Sequence, residues 1–298
     1  MVGTTEAATC PICGRTGARR WKDSDVRGVL EPGDLAITDR RYGTTLGLFE
    51  CRCGFRFADP GELPDLDALY GALDDPAYED GADARSTQQR ALLARVRRER
   101  PAARTLLDIG AASGLLVAAA QTSGLDAVGV EPSATLAARA RADGLDVHTG
   151  VLPLSELAGR RFDIVTLVDV VEHVADPVRL LRSARDHVAD DGAVLVVTPD
   201  AASVAARALG KRWWHLRIAH VGYFDRTTLA DALARAGLVP VQWWRPGWVF
   251  EVGYLAERLA TYVPPLERLV RRAGDAPVLH RTIPLNPRDS LAVIARMQ

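Results

Sequence analysis

At 298 residues the chain is long enough to bury a sizeable core and to hold one large domain plus a smaller unit. Its hydrophobic share of 48% and charged share of 25% are those of a soluble globular protein, and a net charge of -1 supplies no broad attraction to nucleic acid or to a membrane surface. No apolar run approaches the ~20 residues of a membrane span, and the opening MVGTTEAATC lacks the basic-then-apolar order of a secretory leader. The expectation is a cytoplasmic protein whose partner is neither nucleic acid nor membrane; nothing in the sequence specifies an oligomeric state.

All four cysteines lie within the first 53 residues. In a reducing compartment such a cluster points to metal ligation rather than disulfides. Cys10-Pro11-Ile12-Cys13-Gly14 has the form of a knuckle, a tight turn that presents two thiolates to one ion. The second pair, Cys51-Arg52-Cys53-Gly54, has one spacer residue where a knuckle usually has two. Turn signals at Glu31-Pro32-Gly33 and Tyr42-Gly43 predict a short β meander between the pairs. No histidine precedes His148, so a local tetrahedral site would have to use Cys10, Cys13, Cys51 and Cys53. Four thiolates leave no open position, which predicts a structural zinc. The alternatives are that the site has degenerated or that these are small buried apolar residues. This zinc-ribbon-like module is placed at residues 1–62.

Residues 63–102 read as a helical linker. Leu66, Leu69, Tyr70 and Leu73 have the spacing of one short helix, broken at Asp74-Asp75-Pro76. A second helix is predicted from Ser86 to Arg100, ending in the basic run RVRRER before Pro101, which reads as a solvated face. This helix is placed to fold over the following site as a lid, with Tyr70 or Tyr78 reaching in.

From residue 103 strands and helices alternate, the pattern of a doubly wound α/β sheet. Strand Leu106–Ile109 runs into the small-residue turn Gly110-Ala111-Ala112-Ser113-Gly114, then a helix closed by Gly124, then strand Ala127–Val130 and the acid Glu131. Ser133, after Pro132, caps the next helix, closed by Gly144. A strand near Leu145–His148 and an almost wholly apolar one, Phe162–Val168, follow. Asp176-Pro177 starts a helix expected to end at Asp191-Gly192, before strand Ala193–Thr198. Residues 200–224 form a long segment with Trp213, Trp214, His215 and His220. Asp225 caps a further helix, Leu238–Trp244 and Ser290–Met297 are strands, and the last strand is able to run antiparallel. Between these two strands, at about 246–288, Pro264, Pro265, Pro277, Pro284 and Pro287 mark an insertion, expected to be a helical excursion.

Small loop residues after the first strand let a ligand approach the backbone, and the helix N-terminus that follows offers free N–H groups. Glu131 stands about 20 residues on, where an acid accepts hydrogen bonds from ribose hydroxyls. A dinucleotide site wants Gly-x-Gly-x-x-Gly or Ala for its pyrophosphate, whereas Ala112 and Leu115 replace the second and third glycines. An S-adenosylmethionine site needs no phosphate cradle.

Five segments in order resemble the motifs of class I S-adenosylmethionine-dependent methyltransferases: Leu107 to Gly114, Val128 to Ser133, Phe162 to Val165 with Val171-Glu172-His173-Val174-Ala175-Asp176-Pro177, Asp191 to Pro199, and Arg212-Trp213-Trp214 through His220 to Phe224. The last, with the N-terminal cysteines, resembles a bacterial small-molecule tailoring subgroup. The resemblance implies a seven-stranded Rossmann-like sheet over residues 103–298. It implies S-adenosyl-L-methionine as cofactor, with Asp108, Gly110, Ala112, Gly114 and Asp169 along its methionine part, Glu131 and Pro132 at the ribose, and Val151 and Leu152 beside adenine. Asp169 has the alternative of a helix-entry cap.

Transfer to a hydroxyl needs a proton acceptor, and histidine titrates in the useful range. His173 and His220 fall on the carboxyl side of the sheet and are the candidate catalytic bases, with a structural role as the alternative for each. Trp213, Trp214 and Trp248 are candidates for an apolar wall, while Trp243 and Trp244 read as strand core. The expected function is methyl transfer to a small-molecule acceptor, a hydroxyl of a sugar or specialised metabolite. C- or N-transfer, or a cofactor-binding module that docks a partner without turnover, stays open. Nucleic-acid methylation is disfavoured by the charge and by the lack of an Asn/Asp-Pro-Pro-Tyr-type pocket after the fourth strand.

Overall fold

The computed structural model describes residues 8–260 apart from 40 and 80, together with 262–263, 268, 272 and 276–298. Three short strands come first, β1 (Arg19–Lys22), β2 (Leu48–Glu50) and β3 (Arg56–Ala58), followed by helices α1 (Leu66–Gly71) and α2 (Ala82–Glu99). The alternating part runs β4 (Thr105–Ile109), α3 (Leu115–Thr122), β5 (Asp126–Glu131), α4 (Ala134–Ala142), β6 (Val147–Thr149), β7 (Phe162–Val168), α5 (Pro177–Asp186) and β8 (Val188–Pro199). It continues with α6 (Val204–Leu209), β9 (Gly222–Tyr223), α7 (Arg226–Arg235), β10 (Leu238–Trp244), β11 (Trp248–Glu251), α8 (Val252–Ala260), β12 (Thr282–Leu285) and β13 (Ser290–Met297).

Seven strands form one sheet in the order β10-β13-β8-β7-β4-β5-β6. The neighbours from β8 to β6 are parallel, and β13 runs antiparallel to both β8 and β10. β7 and the second half of β8 are apolar and buried on both faces because helices cover each side. Asp163 is the charged exception in β7. Its carboxylate accepts the Arg104 and Thr105 N–H groups at 2.7 and 3.0 Å and so sets β4 against β7.

Three expectations from the sequence are corrected. Helix α5 ends at Asp186, not at Asp191-Gly192: Val188 is already paired with Phe162 at the start of β8, and His187 closes the helix while its Nδ1 lies 2.9 Å from the Arg160 carbonyl. Helix α2 begins at Ala82, behind a left-handed Gly81, and its basic end is not simply solvated. Arg97 donates to the Ser123 carbonyl at 2.8 Å, and Arg95 bonds Gln242 and lies over the Trp244 ring. The excursion after β10 is partly β structure, with β11 and β12 paired antiparallel from Trp248–Leu285 to Glu251–Thr282; Pro264 and Pro265 lie outside the described residues.

The cysteine module shares its sheet with the rest of the chain. β1, β2, β3 and β9 form a four-stranded sheet, and β9 belongs to the segment between β8 and α7. Arg56 faces Tyr223, Phe57 faces Gly222, and the Ala58 N–H donates to the Val221 carbonyl at 2.8 Å. Gly222 is crowded: a Cβ there would come 3.0 Å from the Phe55 ring, which would have to shift to admit it. Phe55, stacked near Phe57 and 4.8 Å centroid to centroid from Phe224, belongs to the same buried cluster as Phe162 and Leu181 of the large sheet. Phe55 is 1% exposed, so Phe55→Ala should destabilise the fold by about 3–5 kcal/mol, the usual cost of emptying a buried phenylalanine site. A continuous core further predicts one cooperative thermal transition, shifted as a whole in the variant, as calorimetry would read.

Candidate active site at the carboxyl ends of the sheet

The turn after β4 is shaped by steric necessity. Gly110 has φ +76°, and a Cβ there would lie 2.5 Å from Val170 Cγ2. Gly114 has φ +82°, and its Cβ would lie 2.5 Å from Leu145 Cδ1. Between them Ala112 also adopts the left-handed region, at φ +47°, which is unfavourable for a residue with a Cβ. Its conformation is held by Glu131. One carboxylate oxygen accepts the Ala112 N–H and the other the Ser133 N–H, each at 2.8 Å. The end of β5 is thereby tied to the turn after β4. Burial raises the Glu131 pKa, opposed by these two bonds.

Asp108 is 4% exposed behind the turn and accepts the Thr166 hydroxyl at 2.7 Å. Burial pushes its carboxyl up to about 7. Pro132 is half-buried, Val151 is exposed beyond β6, and Leu152 is turned into the core. The Gly150 N–H donates to the Glu131 carbonyl at 2.9 Å, which keeps residues 150–152 beside the end of β5. Asp169 has φ +55° directly after β7 and is open to the crevice. Protein surrounds it on the other sides, and that desolvation, with the charge of Asp289, pushes its carboxyl up to about 7.

The cover over this end of the sheet comes from α1 and the residues after it, not from α2, which packs on α3. The Tyr70 hydroxyl meets His173 Nδ1 at 2.7 Å. Ser133 Oγ donates to the Leu73 carbonyl at 2.6 Å. Tyr78 packs on Ala112 and Leu136. Both tyrosines singled out in the sequence therefore reach the site from the linker.

His173 and His220, from different segments, are brought edge to face with ring centroids 4.7 Å apart. The Val221 N–H donates to the Glu172 carbonyl at 2.8 Å, so β9 carries His220 to the turn that holds His173. His215 stacks near His220 at 6.0 Å, with its Nε2 3.3 Å from Asp289; Trp214 Nε1 donates to the same carboxylate at 2.8 Å. Asp289 is the member of this cluster that the sequence analysis missed, since it lies far along the chain at the foot of β13. Burial pushes the His173 imidazole down to about 4 and lowers His220 well below the ordinary histidine value, so both are neutral near pH 7. His220 Nδ1 and Glu172 Oε1 are buried atoms without a hydrogen-bond partner among the described residues. Glu172, His173 and His220 hold their ligand atoms within 4.8 Å of one another, close enough to share one divalent cation. The tryptophans do not form one wall. Trp213 is buried against the cysteine module with Leu46 and Leu48, and Trp248 donates to Ser290 Oγ at 3.2 Å.

The four cysteine sulfurs form a second cluster on the module. Cys10 and Cys53 Sγ are 3.8 Å apart, and Cys13 and Cys51 Sγ 3.5 Å. Four thiolates about 2.3 Å from one zinc ion would stand roughly 3.8 Å apart, so the spacing fits. Main-chain bonds set both turns, with Gly14 N–H to Cys10 O and Gly54 N–H to Cys51 O at 2.9 Å each. All four are free cysteines, and burial pushes the Cys53 thiol up to about 11.

Comparison with known proteins supplies the family and supports the fold. The family described as Methyltransferase domain matches residues 83–242. The chain belongs to this family, the class I S-adenosylmethionine-dependent methyltransferases. It is 36% identical over 169 residues to the ubiquinone biosynthesis O-methyltransferase of Ruegeria pomeroyi, covering 51% of this chain and 66% of the relative. It is 32% identical over 158 residues to the protein of the same name from Cereibacter sphaeroides, covering 49% and 63%. The chain thus spans just under two-thirds of the length of these relatives. In fold it is similar to the methyltransferase in a complex with the Haloferax volcanii Trm112 methyltransferase activator, with a TM-score of 0.53, 19% identity, and coverage of 79% of this chain and 98% of that one. A Clostridium acetobutylicum S-adenosylmethionine-dependent methyltransferase gives a TM-score of 0.50 at 10% identity, over 74% of this chain and 95% of that one.

The Asp108 carboxyl makes stability pH-dependent. With its pKa raised from 3.8 to about 7 on folding, the protonated group contributes stability below pH 3.8 that is lost as pH rises through 7. Asp108→Asn removes that loss. Its stability relative to the wild type should therefore rise between pH 4 and 8 by roughly 4 kcal/mol at most, as urea unfolding at a series of pH values would measure.

Proposed function

We propose that the protein transfers a methyl group from S-adenosylmethionine to a hydroxyl of a small-molecule acceptor, a sugar or a specialised metabolite. The observation that carries this reading is His220: a buried neutral imidazole, its Nδ1 without a partner among the described residues, beside His173 at the carboxyl ends of β7 and β8. The O-methyltransferase names of the relatives support transfer to oxygen.

When bound, the cofactor supplies an electrophilic methyl on a sulfonium whose departure leaves a neutral sulfide. In this reading the Gly110–Gly114 turn approaches the methionine part, with Asp108 and Asp169 as its acids. Glu131 has remaining lone pairs for the ribose hydroxyls beside Pro132, and Val151 and Leu152 flank the adenine. Alignment accounts for most of the rate, because a fixed nucleophile–carbon–sulfur geometry replaces a bimolecular search. His220 accepts the acceptor's hydroxyl proton at Nδ1. Tyr70 orients His173, and Glu172 offers a carboxyl beside the imidazolium that forms. Four cysteines held together without a disulfide suit a reducing, cytoplasmic compartment.

Glu131→Ala should weaken S-adenosylhomocysteine binding by about 1–3 kcal/mol, the cost of leaving the ribose hydroxyls without their acceptor. His220→Ala should cut turnover on phenolic and sugar acceptors by roughly 10²–10⁴-fold and leave that affinity unchanged. Calorimetric titration and labelled-methyl transfer separate the two effects. A wild type that ignores S-adenosylhomocysteine, or a His220→Ala enzyme at full rate, overturns the reading.

We propose also that Cys10, Cys13, Cys51 and Cys53 hold one structural zinc. The purified protein should contain one equivalent by atomic absorption. Cys13→Ser should lose the metal and melt at lower temperature, and a metal-free wild type of unchanged melting point would refute the role.

A further inference from the structure

A second feature lies where the chain leaves the large sheet after β10 and returns to it at β13. A cavity of about 540 Å³ opens there, lined chiefly by Arg226, Arg245, Arg288, Trp243, Trp244 and Asn286. That volume is within the range of small-ligand pockets. β10 is parallel to β8, since both run antiparallel to β13, so the cavity opens at the carboxyl edge that carries the candidate active site. Arg288 immediately precedes Asp289, the carboxylate that holds His215 and Trp214. The Asp200 N–H donates to the Asp289 carbonyl at 2.7 Å and joins the cavity's floor to the end of β8.

The charge of the lining is unbalanced. Arg245 pairs with Asp200 at 2.6 Å. Arg226 and Arg288 have no carboxylate partner among the described residues. Arg226 is held instead over the Trp243 ring, 5.1 Å from its centroid. Arg288 is kept at φ +57°, a strained conformation for a side-chain-bearing residue. Its N–H donates to Asn286 Oδ1 at 2.9 Å, its carbonyl accepts from the Arg245 guanidinium, and Asn286 Nδ2 donates to the Arg245 carbonyl at 3.1 Å. The network fixes the backbone and leaves the exposed Arg288 head free. Planar guanidiniums matched to phosphoryl oxygens are the usual answer to such an arrangement, and two uncompensated cations match a diphosphate better than a single carboxylate.

We propose that this cavity binds a diphosphate group carried by the methyl acceptor, so that the acceptor reaches the His173–His220 cluster as a diphosphate ester; the acceptor part of this claim rests on the methyl-transfer reading above. The test uses the full chain titrated at low salt with inorganic pyrophosphate, UDP and uridine, and separately with S-adenosylhomocysteine. Pyrophosphate and UDP should bind and uridine should not. Arg226→Gln and Arg288→Ala should each weaken that binding at least tenfold and leave S-adenosylhomocysteine affinity unchanged. Arg226 is exposed on the first turn of α7, which makes its variant the one that keeps the fold. UDP binding tighter than pyrophosphate would support a nucleotide-linked acceptor, and equal affinities a diphosphate read alone. Failure of both anions to bind, or binding undiminished in both variants, overturns the proposal. Loss of S-adenosylhomocysteine binding with pyrophosphate binding intact would instead strike the methyl-transfer reading and leave an anion site with no acceptor role.

Discussion

Glu131 spans two strands with one carboxylate. Its oxygens accept the Ala112 and Ser133 N–H groups at 2.8 Å, and so the turn after β4, the end of β5 and the start of α4 are one rigid unit. A buried carboxylate is costly unless hydrogen-bonded, and here both oxygens are engaged. The same contact stabilises a left-handed alanine where glycine would be easier. The crevice beside the turn exists because this acid keeps the turn closed and the β5 terminus next to it. Ser133 extends the unit to the linker through the Leu73 carbonyl, which positions Tyr70 and Tyr78 over the strand ends.

The second organising contact is the pairing of β9 with β3. A two-residue strand contributes little by itself, but it places His220 between the cysteine module and the Glu172–His173 turn. On one side Val221 bonds Ala58; on the other it bonds Glu172. The module therefore acts as a buttress for a histidine of the candidate active site, with Phe55 and Phe224 filling the seam. The burial that results explains why His173, His215 and His220 all have lowered pKa values: none has a nearby acid strong enough to offset desolvation, even with Asp289 beside His215.

Much of the large sheet was legible in the chain. β7, β10 and β13 lie where apolar runs indicate, and the caps Ser133, Asp176 and Asp225 mark their helices because each short side chain accepts an N–H three residues on. The end of α5 was not legible. Residues 187–192 carry Asp, Ala and Gly signals compatible with a helix terminus, while the pairing of Val188 with Phe162 is a long-range contact that local propensity cannot express. The cover over the site was only half legible, with the tyrosines and the short helix of Tyr70 identified but the following helix, α2, expected as the lid.

The sequence alone determined the alternation of strands and helices, the small-residue turn with its acid after the second strand, and the two cysteine pairs. Each depends on residues close together in the chain or on periodicity. Tertiary structure alone decided that β9 completes the module's sheet, that Asp289 meets His215 and Trp214, and that three arginines from three segments face one cavity. Such contacts join residues far apart in the chain, as Arg217 does in donating to the Ala36 carbonyl 181 positions away, and only the folded sheet order brings such partners within hydrogen-bond reach.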